Sequence, residues 1–233
     1  MRYESMVEGR FLSRPNRFIA MVEIDGTEEI CHVKNTGRCK ELLIPGATVF
    51  LQRAENPERK TKFDLITVIK NGKLINMDSQ APNKVFHEWL ERSGHFPEVT
   101  RIKPECKYKN SRFDFYVEAE GKRHFVEVKG VTLEEDGVLM FPDAPTERGV
   151  KHLRELVAAA KEGYGGHIFF VAQMEDCRYF VPNEKTHAAF ADALREAEEQ
   201  GVKVHCLNCI VTRDSLEIEG FVPVELNKTE EEG

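Results

Sequence analysis

The sequence predicts a two-domain α/β (α+β) protein, a small closed β-barrel followed by a mixed sheet flanked by helices. Three observations carry that expectation. The first 80 residues break into short strand-like runs separated by turn residues. From Asn83 onward, runs with helical periodicity alternate with strands. Within that second part HIFFVAQ (167–173) is a continuous apolar run of the kind buried in the middle of an α/β sheet.

In the N-terminal part VEGRFLS (7–13) leads into FIAMVEI (18–24) and TEEICHV (27–33). The last two flank Asp25-Gly26, a strong two-residue hairpin signal. After CHVKNTGRCKELLIPG, with a short helix-like turn near Arg38–Leu43, come ATVFLQ (47–52), TKFDLITVIK (61–70) and, beyond Asn71-Gly72, KLINM (73–77). Five or six strands with turn chemistry at each gap favour an OB-like barrel, with an SH3-like barrel as the alternative. OB-like barrels commonly bind single strands or backbone phosphates. Asp78–Asn83 reads as a linker, which places the domains at 1–80 and 81–227. The KTEEEG tail (228–233) is expected to be disordered.

In the second domain Val85, Phe86, Trp89 and Leu90 fall at helical spacing within Asn83–Arg92. Strands are expected at Val99–Tyr108, Ser111–Glu120 and His124–Leu133. A helix over Pro145–Glu162 carries Val150, Leu153, Leu156, Val157 and Ala160 on its apolar face. HIFFVAQ, CRYFV (177–181), a helix over Thr186–Glu199, VKVHCLNCIV (202–211) and SLEIEG (215–220) complete the fold.

Composition bounds the function. The 41% hydrophobic and 31% charged content is that of a soluble globular protein. The start MRYESMVEGRF lacks a signal-peptide core, and no apolar run approaches the roughly 20 residues of a membrane span, so a cytoplasmic protein without membrane partners is expected. The six cysteines are expected to be free thiols. Cys206 and Cys209 form a single CxxC with no second pair, which reads as a buried strand rather than a metal site. The net charge of −7 argues against a generally basic nucleic-acid binder, but the charge is uneven. Residues 1–110 hold 19 Lys+Arg against 15 Asp+Glu, and residues 111–233 hold 14 against 25. A basic module ahead of an acidic one suits polyanion binding attached to a metal site.

The chemistry concentrates in SRFDFYVEAEGKRHFVEVKGV (111–131), two strands joined at Glu120-Gly121. Alternation points Val126 and Val128 to one face and Phe125, Glu127 and Lys129 to the other, and sets Asp114 opposite Phe113 and Phe115. Charges inside strands that otherwise demand burial are costly unless paired or bound to a cation. The hairpin brings Asp114 alongside Glu127 at about 5 Å strand spacing. Two such carboxylates repel unless a divalent cation holds both ionised, and oxygen donors suit Mg²⁺ or Mn²⁺. Lys129 would then orient an attacking water or neutralise a phosphate.

Asp … Glu-x-Lys, within the order helix–strand–strand–strand–helix–strand from Asn83 to Gln173, resembles the PD-(D/E)xK nuclease pattern. Phe113 stands where that pattern has proline. The resemblance implies Asp114 and Glu127 as metal ligands, Lys129 as catalytic, and Glu88 of the first helix as a further candidate ligand. CHVKNTGRCKELLIPG, SRFDFYVE…HFVEVKGVTL and MFPDAPTERGVKHLREL together resemble the sugar fermentation stimulation protein A family over about residues 5–220. That resemblance implies an OB-like domain ahead of a PD-(D/E)xK nuclease-like domain. It also implies DNA binding linked to sugar and maltose metabolism, with nuclease activity inferred for some members.

Further candidates keep two readings each. Lys34, Asn35, Thr36, Gly37 and Arg38 either hold a phosphate through backbone N–H groups and the guanidinium, or form an Asx-type turn. Arg14 and Arg17 lie in a basic turn that is either a backbone contact or simply solvated. Arg148, Lys151, His152 and Glu155 share the polar side of the Pro145–Glu162 helix. There Arg148 either binds substrate phosphate or joins a surface salt bridge. Asp143 either reaches the metal or caps the turn, Thr146 is a reasonable N-cap, and Gln173 ends the apolar strand where α/β sheets often place polar functional groups, or is simply surface, the usual case for a lone Gln at a strand end. Trp89 reads as core rather than as a base-stacking platform. Three functions remain open from sequence: a metal-dependent nuclease acting on DNA or RNA, a DNA-binding regulator without catalysis, and a hydrolase of a small phosphate-bearing substrate.

Overall fold

The structure is a computed structural model that describes residues 1–35, 37–56, 58–109 and 111–227; Thr36 and the 228–233 tail lie outside the described residues. Its N-terminal strands are β1 (Met6–Asn16), β2 (Ile19–Ile24), β3 (Thr27–Val33), β4 (Thr48–Arg53), β5 (Phe63–Lys70) and β6 (Lys73–Asn76). Asp25-Gly26 turns the β2–β3 hairpin with positive φ at both residues, the conformation a two-residue hairpin loop requires. Strand alternation then sends Ala20, Val22 and Ile24 into the core. β3 also pairs in parallel with β5, which closes the ring β1–β2–β3–β5–β4 and leaves β6 as an extension of β5. This closed five-strand barrel is the OB arrangement, and the SH3-like alternative falls.

The C-terminal domain runs α1 (Ala81–Arg92), β7 (Val99–Tyr108), β8 (Ser111–Ala119), β9 (Lys122–Val131), β10 (Leu133–Glu135), β11 (Val138–Phe141), α2 (Glu147–Lys161), β12 (Gly165–Ala172), β13 (Tyr179–Pro182), α3 (Glu184–Glu199), β14 (Lys203–Val211) and β15 (Leu216–Val222). The main sheet has the order β15–β14–β12–β9–β8–β7, with β9, β12 and β14 parallel and the outer strands antiparallel. One face is covered by α1, whose Phe86 ring lies 5.3 Å from Phe115 and 4.7 Å from Phe169. The other is covered by α2 and α3. The short sheet β10–β11–β13 begins with a hairpin at Asp136-Gly137, absent from the expected strands although its dipeptide is a turn signal.

Simple alternation fails at one point of β8. Phe113 packs with Phe125 on the α2 side (4.9 Å between rings), whereas Phe115 packs with Phe86 on the α1 side. The two phenylalanines therefore sit on opposite faces, not on one, and the change falls at Asp114. The β8–β9 ladder also stops at Phe115↔Val126. The Val128 N–H, next in line, bonds Asp114 Oδ2 at 2.8 Å.

The expected linker is a buried joint. α1 begins at Ala81 rather than Asn83, and Asp78 is fully buried. Asp78 Oδ2 pairs with Lys34 Nζ at 2.7 Å and accepts the Tyr3 hydroxyl at 3.4 Å. Gln173, expected at the surface, is buried where β12 ends. Its Nε2 donates to Asn76 Oδ1 at 2.9 Å and to the Asp78 carbonyl at 3.0 Å, while its carbonyl accepts the Asn76 N–H. Gln173 thus bonds the end of the barrel to the end of the sheet. A Cβ on Gly130 would meet Gln173 Oε1 and Pro82 Cγ, both at 2.7 Å, so glycine is required beside the joint. Gln173→Ala is expected to remove the two bonds that tie the sheet to Asn76 Oδ1 and the Asp78 carbonyl, which keep only the Asp78 and Ala81 N–H groups, and to cost about 1–3 kcal/mol, read as a lower denaturation midpoint in urea.

Candidate metal centre

The three residues of the Asp … Glu-x-Lys pattern come together, with company the pattern did not include. Glu127 lies on the α2 face of β9 and is buried (2% exposed). Its Oε1 is held by the Lys129 ammonium and by His152 Nδ1. Its Oε2 is buried with no hydrogen-bond partner among the described residues. Burial pushes the Glu127 carboxyl up, but the His152 hydrogen bond and the Lys129 charge outweigh it and hold Glu127 below the usual carboxylate range. Asp114 is displaced the other way. Burial first, then the Glu127 charge, raise it, against the Val128 N–H, Lys129 and the Asn83 side chain. Two neighbouring carboxylates driven apart in this manner resist sharing the site as bare anions.

His152 is not on the polar side of α2 as expected but faces inward, 6% exposed. Arg148, one turn earlier, is exposed and donates through Nε to His152 Nε2 at 3.4 Å. With Nε2 accepting, the ring proton sits on Nδ1 and points at Glu127. Thr146 caps α2 as expected, accepting the Gly149 N–H at 3.0 Å. From α1, Asn83 Nδ2 donates to Asp114 Oδ1 at 2.8 Å. Asn83 was passed over as a site residue, and only its place in the first turn of the helix ahead of the hairpin could have signalled it.

Other candidates are placed elsewhere. Glu88 Oε2 bonds the Met1 amine at 2.8 Å, and Asn83 is the α1 residue that touches Asp114. Arg14 donates to the carbonyls of Arg38, Arg17 and Asn35, so its guanidinium braces the barrel loop. Lys34 is committed to Asp78. Asn35 Oδ1 accepts the Gly37 N–H at 2.7 Å, the Asx-turn reading of that stretch. Asp143 lies against that loop, with Oδ2 2.7 Å from where a Gly37 Cβ would be. Arg17 and Arg38 are exposed. Cys206 and Cys209 pack in separate core clusters, so the CxxC does not converge on one point.

A cavity of about 340 Å³ opens between the domains, lined by Asn35 and Gly37 of the barrel and by Gly130, Asp143, Thr146 and Gln173. A second, of about 320 Å³, lies on the barrel against Arg17, Arg38 and Lys40. Gly37 lines both, so the surface runs from the basic barrel loop to the strand end that follows Lys129. No helix among the described residues is long and apolar enough to cross a membrane.

Two family models match in chain order: an SfsA N-terminal OB domain over residues 12–77 and a sugar fermentation stimulation protein RE domain over residues 80–215. A sugar fermentation stimulation protein homolog of Desulfitobacterium hafniense is 65% identical over 226 residues, covering 97% of this chain and 99% of that protein. A homolog of Clostridium beijerinckii is 59% identical over 226 residues, at 97% and 100% coverage. Among solved structures, Pyrococcus furiosus SfsA in complex with Ca²⁺ superposes with a TM-score of 0.87 at 29% identity, covering 97% of this chain and 98% of that one. The barrel, the mixed sheet and near full-length identity agree, and the chain belongs to the sugar fermentation stimulation protein (SfsA) family.

Proposed function

We propose that the protein is a metal-dependent nuclease that hydrolyses phosphodiester bonds in DNA, with Asp114 and Glu127 holding the metal and Lys129 serving the attacking water. The observation that carries this reading is Glu127 Oε2, a buried carboxylate oxygen without a partner, on a side chain whose charge raises the neighbouring Asp114. Hard oxygen donors of this kind fit Mg²⁺ or Mn²⁺. The Ca²⁺ complex of the archaeal relative supports a site for a hard divalent cation. When bound, such an ion supplies a nucleophilic hydroxide and stabilises charge on the phosphoryl oxygens.

The chain's own residues do the rest. The Lys129 ammonium, held by Glu127 and 18% exposed, can bond a water and offset the charge of an incoming phosphate. His152 fixes Glu127 in one orientation, and Arg148 fixes the His152 tautomer while presenting its guanidinium at the start of α2. Asn83 and the Val128 N–H do the same for Asp114. Since Arg14 and Lys34 are engaged within the fold, phosphate contacts away from the centre fall to Arg17 and Arg38 on the barrel.

Purified protein incubated with single- and double-stranded DNA and with RNA, across a series of divalent ions, tests the reading. Cleavage is expected in Mg²⁺ or Mn²⁺ and its loss in EDTA. Asp114→Asn, Glu127→Gln and Lys129→Ala should each lower the rate about 10²–10⁴-fold, with Lys129→Ala keeping DNA binding. Salt-sensitive binding without cleavage under any ion would replace the nuclease with a non-catalytic regulator. Cleavage of a phosphodiester dye but of no polynucleotide would point to a small substrate instead. His152→Ala should leave DNA binding intact and raise the Mg²⁺ concentration for half-maximal rate about 10–100-fold. Arg17→Ala and Arg38→Ala should each weaken binding evenly across sequences and reduce the salt slope by about 1, measured by filter binding over a salt series.

A further inference from the structure

Four histidines far apart in the chain meet at the other end of the sheet. His124, His167 and His205 stand near the starts of β9, β12 and β14. His167 is in register with Val126, and His205 with Phe169. Val126 and Phe169 belong to the α1-side core, so all three histidines project onto that face. His95 reaches the same point from the loop after α1. Glu127 projects onto the opposite face, three residues along β9 from His124, so the cluster is separate from the carboxylate centre.

One nitrogen each from His95, His167 and His205 lies within 4.8 Å of the other two. His167 Nδ1 and His205 Nε2 are 3.3 Å apart. A shared proton would satisfy that pair, but it needs only two nitrogens, and here a third converges. The separation is also the edge of a tetrahedron of nitrogens about 2.0–2.1 Å from a central ion. On its far side His167 Nε2 is 3.1 Å from His124 Nδ1, so Nε2–H can donate there and leave Nδ1 as a lone pair aimed at His205. An outer hydrogen bond of this kind is what a metal-bound imidazole ordinarily has.

The surroundings suit neutral imidazole ligands. Phe169 stacks on His205 at 4.3 Å between centroids, and Phe96 lies 4.9 Å from His167. Burial, together with neighbouring imidazoles and Lys203, pushes His167 down to about 3 and His205 to about 4. Both therefore stay unprotonated at neutral pH. All three remain partly exposed, so the cluster can be approached from solvent.

We propose that His95, His167 and His205 form a binding site for one divalent transition-metal ion of the Zn²⁺ class, independent of the carboxylate centre and joining the α1–β7 loop to the starts of the parallel strands. Imidazole donors prefer Zn²⁺, Ni²⁺ or Cu²⁺ to Mg²⁺, so the two centres differ in chemistry as well as in place. The test uses the full-length chain with Asp114→Asn and Glu127→Gln to silence the carboxylates, titrated by calorimetry with Zn²⁺ and by absorbance with Co²⁺. One equivalent is expected to bind in excess Mg²⁺, with the intense visible bands of tetrahedral Co²⁺ and a raised Tm. His167→Ala and His95→Ala should each weaken binding at least tenfold. His95 lies in a loop, so its variant reads out the site even where a strand substitution disturbs folding. No binding in that background, or equal affinity in His95→Ala, overturns the proposal.

Discussion

The structure is built around a charge in the wrong solvent. Glu127 sits on a central strand at 2% exposure, where an unpaired carboxylate would cost several kcal/mol. Its neighbours are arranged to offset that cost. Lys129 returns to it from the same strand, His152 turns inward from α2, and Arg148 holds His152 from one turn away. The compensation is one-sided, because both partners bind Oε1 and leave Oε2 bare. A protein tuned only for stability could place an apolar residue here at little loss. The half-satisfied carboxylate beside a second carboxylate is the feature on which the proposed cation site rests.

The same economy governs Asp114. It takes the Val128 N–H where a backbone carbonyl would continue the ladder, so the ladder ends there and the carboxylate is fixed by one substitution of acceptor. Phe113 and Phe115, on either side of it, occupy different cores. The joint between domains then determines what can approach. Asn76, Asp78 and Gln173 bond to one another in a buried network with Tyr3 and Lys34 attached, so the barrel is bonded to the sheet where β9 and β12 end. The cavities that share Gly37 follow from this fixed juxtaposition.

Most of the architecture was legible because it rests on local rules. Asp25-Gly26, the alternation of β2 and the apolar face of α2 each reported their element directly. So did the pairing of Asp114, Glu127 and Lys129 in one hairpin. What escaped was decided by partners distant in sequence. Gln173 looks like a strand end until Asn76, 97 residues away, accepts its amide. Arg14 looks like a phosphate ligand until three carbonyls claim it. His152 has the spacing of a polar helix face, and only the buried carboxylate opposite turns it inward. The Asp136-Gly137 hairpin is the exception, a local signal that was present and passed over.

The histidine cluster is the extreme case of that limit. Its members are spread from His95 to His205 with no motif spacing, and only strand register brings them to one point. Register also fixes their relation to the carboxylates. Parallel strands β9, β12 and β14 begin at the imidazoles and, for β9 and β12, run on to Lys129 and to the residue before Gln173. Side chains that alternate faces put the nitrogen donors over α1 and Glu127 over α2. A single sheet thereby keeps nitrogen and oxygen donors apart, on opposite faces and towards opposite ends. An ion at one end would stiffen the strand starts without touching the carboxylates at the other. The separation matters because imidazoles placed among the carboxylates would favour a tightly held transition metal over the exchangeable, water-carrying Mg²⁺ suited to phosphoryl chemistry.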